Sequence, residues 1–97
     1  MYAIQLVLKI KMKKMKEVNN NIHLGYTDYI SDKVYKTEIV KVADGKYQVK
    51  FSYGRRYNVN NEYWVPTSPV NYADAVYIRD KQVKQKIRKG YVIENEF

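Results

Sequence analysis

From Ile22 the chain alternates: Ile22, Leu24 and Tyr26 fall on one side of an extended backbone, His23 and Gly25 on the other. That period of two predicts a half-buried strand. Residues 34–42 and 46–53 form two further β-rich runs separated by Ala43-Asp44-Gly45. An Asp-Gly pair between such runs predicts a two-residue type I′ hairpin. With that turn, Val42 is expected opposite Tyr47, Val40 opposite Val49, and Glu38 opposite Phe51. The inward face would then be Val40, Val42, Tyr47, Val49 and Phe51, with Lys41, Lys46, Gln48, Lys50, Ser52 and Ile39 on the outward face.

A loop is expected over residues 54–61 and a short strand over 62–65, ended by Pro66, which cannot donate to a ladder. The period then changes. Tyr72, Ala75, Val76, Val83 and Ile87 share one helical face, interrupted by Arg79. Asn71 is a good N-cap, Asp74 suits N3, and Gly90 follows Lys86, Arg88 and Lys89 as a C′ residue. Start, stop and stripe agree on a helix over residues 72–89, followed by a strand at 91–93 and a frayed acidic end. The fold class expected is α+β, an antiparallel sheet with one long C-terminal helix packed against it.

A chain of 97 residues supports one core and leaves little room for a deep catalytic cleft. Eleven tyrosines supply much of its apolar content, so the core should have a wet rim. Residues 1–21 read as a basic N-terminal extension and residues 22–97 as the domain. Met1 to Met12 fits both a strand and a helix period, and Asn19-Asn20-Asn21 reads as a connector. The formal charge is +8, of which Lys9, Lys11, Lys13, Lys14 and Lys16, less Glu17, contribute +4. Such a balance fits a phosphate-rich partner, although a lysine run of this kind also serves as a solvated tail. The apolar start is too short to span a bilayer and lacks a basic leader, so no membrane or export role is expected. With no cysteine, a cytoplasmic location fits best.

Ser31-Asp32-Lys33-Val34-Tyr35, the Asp44-Gly45 hairpin, Ser52-Tyr53-Gly54-Arg55-Arg56, the helix bearing Ala75-Val76, and Lys86-Ile87-Arg88-Lys89-Gly90-Tyr91 occur in a set order. Over roughly residues 22–93 that order resembles the WGR domain, named for Trp-Gly-Arg. WGR domains occur in DNA-dependent poly(ADP-ribose) polymerases and in bacterial proteins. In the polymerases they help detect DNA breaks, with the Trp and Arg of the motif near a 5′ end. The resemblance puts Tyr53 in the Trp position, Gly54 and Arg55 in the other two, and Lys86 and Lys89 at basic positions of the helix end. It departs from the family where Arg79 replaces an apolar residue and where Arg56-Tyr57 replaces a following glycine. It implies a WGR-like module that binds DNA, including 5′-phosphorylated ends, through Tyr53, Gly54, Arg55, Arg56, Lys86 and Lys89.

The residues themselves support the same chemistry. Arginine offers a planar, permanently charged fork to phosphate oxygens, and a neighbouring aromatic can stack on a base or sugar. Gly54 lets the backbone turn so that both project together. Tyr53 also shares the parity of Phe51, which offers it a place in the core instead. His23 reads as a solvent-facing strand residue, and Trp64 as a core or sheet-face anchor. No nucleophile motif, glycine-rich phosphate loop or metal-ligand set is present, so neither catalysis nor a cofactor is expected. The alternative is a protein-interaction module in which the same loop docks on a partner enzyme.

Overall fold

The computed structural model describes residues 19–97. The extension's lysines and the open question over Met1 to Met12 lie outside the described residues. Five antiparallel strands form one sheet: β1 (Asn21–Thr27), β2 (Asp32–Ala43), β3 (Lys46–Arg55), β4 (Asn58–Val70) and β5 (Val92–Glu96), in the order β4-β3-β2-β1-β5. One helix, α1 (Tyr72–Arg88), connects β4 on one edge to β5 on the other. It therefore passes over one face of the sheet and covers most of it.

The core lies between helix and sheet. Ile22 and Leu24 of β1, Tyr35, Thr37 and Ile39 of β2, and Val49 and Phe51 of β3 are buried under Ala75, Arg79 and Val83 of α1. Thr37 keeps its hydroxyl satisfied there by donating to the Ile22 carbonyl at 3.1 Å. The helix begins where Tyr72 packs edge-on against Tyr47, 5.1 Å away, and ends where Gly90 lies against Tyr26. It thus runs diagonally from the β3–β4 side to the β1–β2 side. Arg79, an interruption in the apolar stripe, is only 3% exposed. Its guanidinium donates to Asp80 and to the Asn19 carbonyl, both at 2.7 Å, which ties the entry of β1 to the helix. Ile87, expected in the stripe, is exposed because the helix has passed the edge of the buried face by that turn.

The β2–β3 register corrects the sequence reading. Gly45 adopts φ 65°, but Asp44 does not have a positive φ, so the turn is not type I′, which needs both. A bulge between Lys41 and Ala43 accommodates the extra residue and shifts every later pair by one. Ile39 faces Val49, Thr37 faces Phe51 and Tyr35 faces Tyr53. A one-residue slip exchanges the two faces of a strand, so Ile39 is buried while Val42 is exposed. Two further differences have local causes. β4 continues through Pro66 and Pro69 because it is an edge strand, where a missing N–H can face solvent. The acidic C-terminus is not frayed: Glu94, Asn95 and Glu96 lie in β5, and Phe97 and Asn21 exchange backbone hydrogen bonds of 2.8 and 2.9 Å. The α+β architecture itself is as expected.

The bulge makes a direct stability contrast. Ile39→Ala is expected to cost about 2–5 kcal/mol by creating a cavity, whereas Val42→Ala should stay within about 0.5 kcal/mol as an exposed change. Urea unfolding of the two variants checks it; the reverse order would restore the register in which Val42 points inward.

Candidate nucleic-acid interface

The end of α1 builds the site. Asn71 caps its start by accepting the Asp74 N–H at 2.8 Å. At the other end Lys89 is the C-cap and Gly90 takes φ 103°. The Gly90 N–H donates to the Ile87 carbonyl at 3.0 Å and the Tyr91 N–H to the Lys86 carbonyl at 3.1 Å, the paired bonds of a Schellman motif. Glycine is required at position 90 twice over: its φ is left-handed, and a Cβ would stand 2.9 Å from the Tyr26 ring. The motif folds Tyr91 back beside Lys86, whose ammonium lies 5.5 Å from the Tyr91 ring centre and 4.5 Å from that of Tyr35.

Around this lysine the tyrosines form a continuous surface. Tyr26 and Tyr91 are 5.6 Å apart, Tyr35 and Tyr91 6.4 Å, and Tyr35 and Tyr53 6.0 Å and nearly parallel. Tyr63 meets Tyr53 edge-on at 6.1 Å, and its hydroxyl shares a hydrogen bond with that of Tyr35. Burial first, and then that bond, pushes the Tyr35 phenol well up. Tyr53 answers both expectations made of it. Its parity places it on the core face, stacked on Tyr35, yet it is 40% exposed because the diagonal helix leaves the β3–β4 corner uncovered.

Four cations share this face. Lys33 and Arg55 are direct cross-strand partners, and Lys33 lies 5.0 Å over Tyr26. Lys86 is half-buried; its ammonium is held below the usual lysine range by burial first, then by Lys89 and Lys33. Among the described residues, no ion pair to a carboxylate involves Lys33, Arg55, Lys86 or Lys89. Like charges directly opposite on neighbouring strands oppose folding. Aromatic faces offset part of this, by about 0.5–2 kcal/mol for each well-placed cation.

Comparison of the chain with protein-family models, with curated proteins and with solved structures gave no match.

Of the residues singled out by sequence, the structure brings Tyr53, Arg55, Lys86 and Lys89 to one face and turns Arg56 to the other. The Arg56 guanidinium binds Glu94 through two bonds of 3.0 and 2.8 Å and Asp32 through a third of 2.8 Å. It is a clasp joining β2, the β3–β4 turn and β5, and its charge is matched internally. Gly54 lies near the end of β3 with φ 155°, and a Cβ there would meet the Asn58 carbonyl oxygen at 2.8 Å. Sequence reasoning did not select Lys33, Tyr26, Tyr35 or Tyr91. The bulge hid Lys33, because in the register expected without it Arg55 would not face that residue. Among the described residues no group of His, Cys, Asp or Glu could hold a metal, and no helix is long and apolar enough to cross a membrane.

The clasp gives a pH dependence. Hydrogen bonds from Arg56 hold both the Asp32 and Glu94 carboxyls below their ordinary range. Groups whose folded pKa is depressed stabilise the fold above the unfolded pKa, about 4 for these residues, and lose that contribution as pH falls through the folded value. Thermal unfolding followed from neutral pH down past that point is therefore expected to show a falling Tm. Arg56→Met should be less stable near neutrality and show a flatter acid limb; an unchanged limb would mean the clasp contributes nothing.

Proposed function

We propose that this chain is a non-catalytic, WGR-like module that binds DNA. The observation that carries the reading is the convergence of Lys33, Arg55, Lys86 and Lys89 on one face, without carboxylate partners among the described residues, around a tyrosine cluster whose Tyr53 and Tyr63 are exposed. Folding gathers these charges at an electrostatic cost. A polyanion removes that cost by seating phosphates among them, and charge-assisted bonds to phosphate are stronger than neutral ones.

In this reading Arg55 and the lysines contact phosphate oxygens, while the exposed edge of Tyr53 packs against a sugar or terminal base. None of these contacts reads a base edge in a groove, so affinity is independent of sequence. The Tyr53-Gly54-Arg55 correspondence and the antiparallel sheet with its C-terminal helix support the likeness to WGR domains, and a site in the cytoplasm is consistent with a chain lacking cysteine. Arg56 serves the site indirectly, by fixing the β3–β4 turn that directly follows Arg55.

Titration against a 5′-phosphorylated blunt duplex and a closed dumbbell of the same sequence, across salt, tests this. Binding should weaken with a log–log salt slope of about −0.9 per phosphate neutralised. Arg55→Ala should lower affinity and reduce the slope by roughly one. Negligible binding to both molecules would sink the DNA reading and leave protein docking; equal strong binding would remove the preference for ends.

A further inference from the structure

The C-terminal half of α1 carries more charge than the site described above takes up. Between residues 81 and 93 the chain has five cations, Lys81, Lys84, Lys86, Arg88 and Lys89, and no acid. Lys86 and Lys89 belong to that site. The other three are exposed and, with Tyr77 and Gln85, border one shallow recess on the solvent side of the helix. The carboxylate at its rim, Asp80, accepts from Nε of the buried Arg79 at 2.7 Å. Lys84, one turn further on, is thereby left without it. Among the described residues no ion pair involves Lys81, Lys84 or Arg88.

Helix stability does not account for this row. The negative end of the helix attracts cations in its last turn, which covers Lys86 and Arg88 but not Lys81 and Lys84 further back. Lys81 with Lys84, and Lys84 with Arg88, are like charges three and four residues apart, a spacing that opposes the helix. The row also points away from the first set of cations. At 3.6 residues per turn Lys84 and Lys86 project about 200° apart, and Lys86 is turned to the sheet, 4.5 Å over the Tyr35 ring.

We propose that Lys81, Lys84 and Arg88 form a second phosphate-binding row, so that the substrate class is a duplex rather than a single strand. One backbone lies along Lys33, Arg55, Lys86 and Lys89 and the other along the back of α1. The proposal rests on the nucleic-acid reading above. A helix with its side chains is about 10–12 Å across, so a single backbone held by one row is kept from the other by the helix itself. The two backbones of a B-form duplex border a major groove about 12 Å wide, which matches that separation.

The chemistry of the row favours phosphate over other partners. A helix that lies on lipid needs an apolar face to bury; the apolar side of α1 is already under the sheet, and the recess has one large hydrophobic ring, Tyr77, 67% exposed. Protein interfaces are depleted in lysine, whereas a phosphate backbone takes lysines as point charges.

Salt titrations of the full chain on a blunt duplex and on one of its strands test this. Converted at about −0.9 and −0.7 per phosphate respectively, the log–log slopes should count about three more contacts on the duplex. A Lys81→Gln, Lys84→Gln, Arg88→Gln triple variant should flatten the duplex slope by about 2.7 and leave the single-strand slope unchanged. Its thermal unfolding should not fall below the wild type, because these side chains are exposed and unpaired. Arg55→Ala should flatten both slopes. A triple variant with an unchanged duplex slope, beside an Arg55→Ala that still flattens it, would overturn the second row and leave the first. Equal flattening on duplex and single strand would overturn the duplex as substrate class. A wild type that binds neither molecule would overturn both rows. Binding to phosphatidylserine vesicles that the triple variant loses, with duplex binding unchanged, would assign the row to a membrane and overturn the proposal.

Discussion

A sheet with one apolar face and a single helix to cover it is the constraint on which this structure depends. Because β4 and β5 lie on opposite edges, α1 is both the connection between them and the cover. Seventeen residues give it a length of about 26 Å, and five strands span about 19 Å between the outer axes. The helix can cross the sheet, but only on a diagonal, since it starts by Tyr47 and ends by Tyr26. A diagonal cover leaves a corner open, and Tyr53 and Tyr63 occupy that corner.

The open corner explains why tyrosine suits this chain. Rings there bury one face against Tyr35 and Phe51 and leave an edge and a hydroxyl to water, which an aliphatic residue could not do without cost. Beside that corner the rings of Tyr26, Tyr35 and Tyr91 face the unmatched Lys33 and Lys86 and moderate their repulsion. Across the sheet the solution differs: Lys50 pairs with Glu38 at 3.3 Å, and Arg56 with Asp32 and Glu94. That face matches part of its charge internally, though Lys36 on it has no ion pair among the described residues; the helix-side face leaves Lys33, Arg55, Lys86 and Lys89 available to a ligand. The Schellman motif links fold to site, because the bonds that stop the helix also bring Tyr91 to Lys86.

Sequence by itself determined those features whose cause is local. Caps, a left-handed glycine and a change of period lie within a few residues of each other, so Asn71, Gly90 and the helix between them were legible, as were the first three strands and the α+β class; β4 was expected only over 62–65, with a loop over 54–61, where the strand runs Asn58–Val70. The β2–β3 register was not, because one bulged residue between Lys41 and Ala43 exchanges faces, and whether a chain bulges depends on the energy of the whole packed sheet. Arg79 was legible only as an interruption, since its partner, the Asn19 carbonyl, lies at the far end of the sequence. For the same reason the candidate site was half legible: the motif and the helix-end lysines stand close to strong local signals. Lys33, the tyrosines around Lys86, and the separation of Arg55 from Arg56 were decided only when tertiary packing chose which face each strand presents and where the helix ceases to cover it.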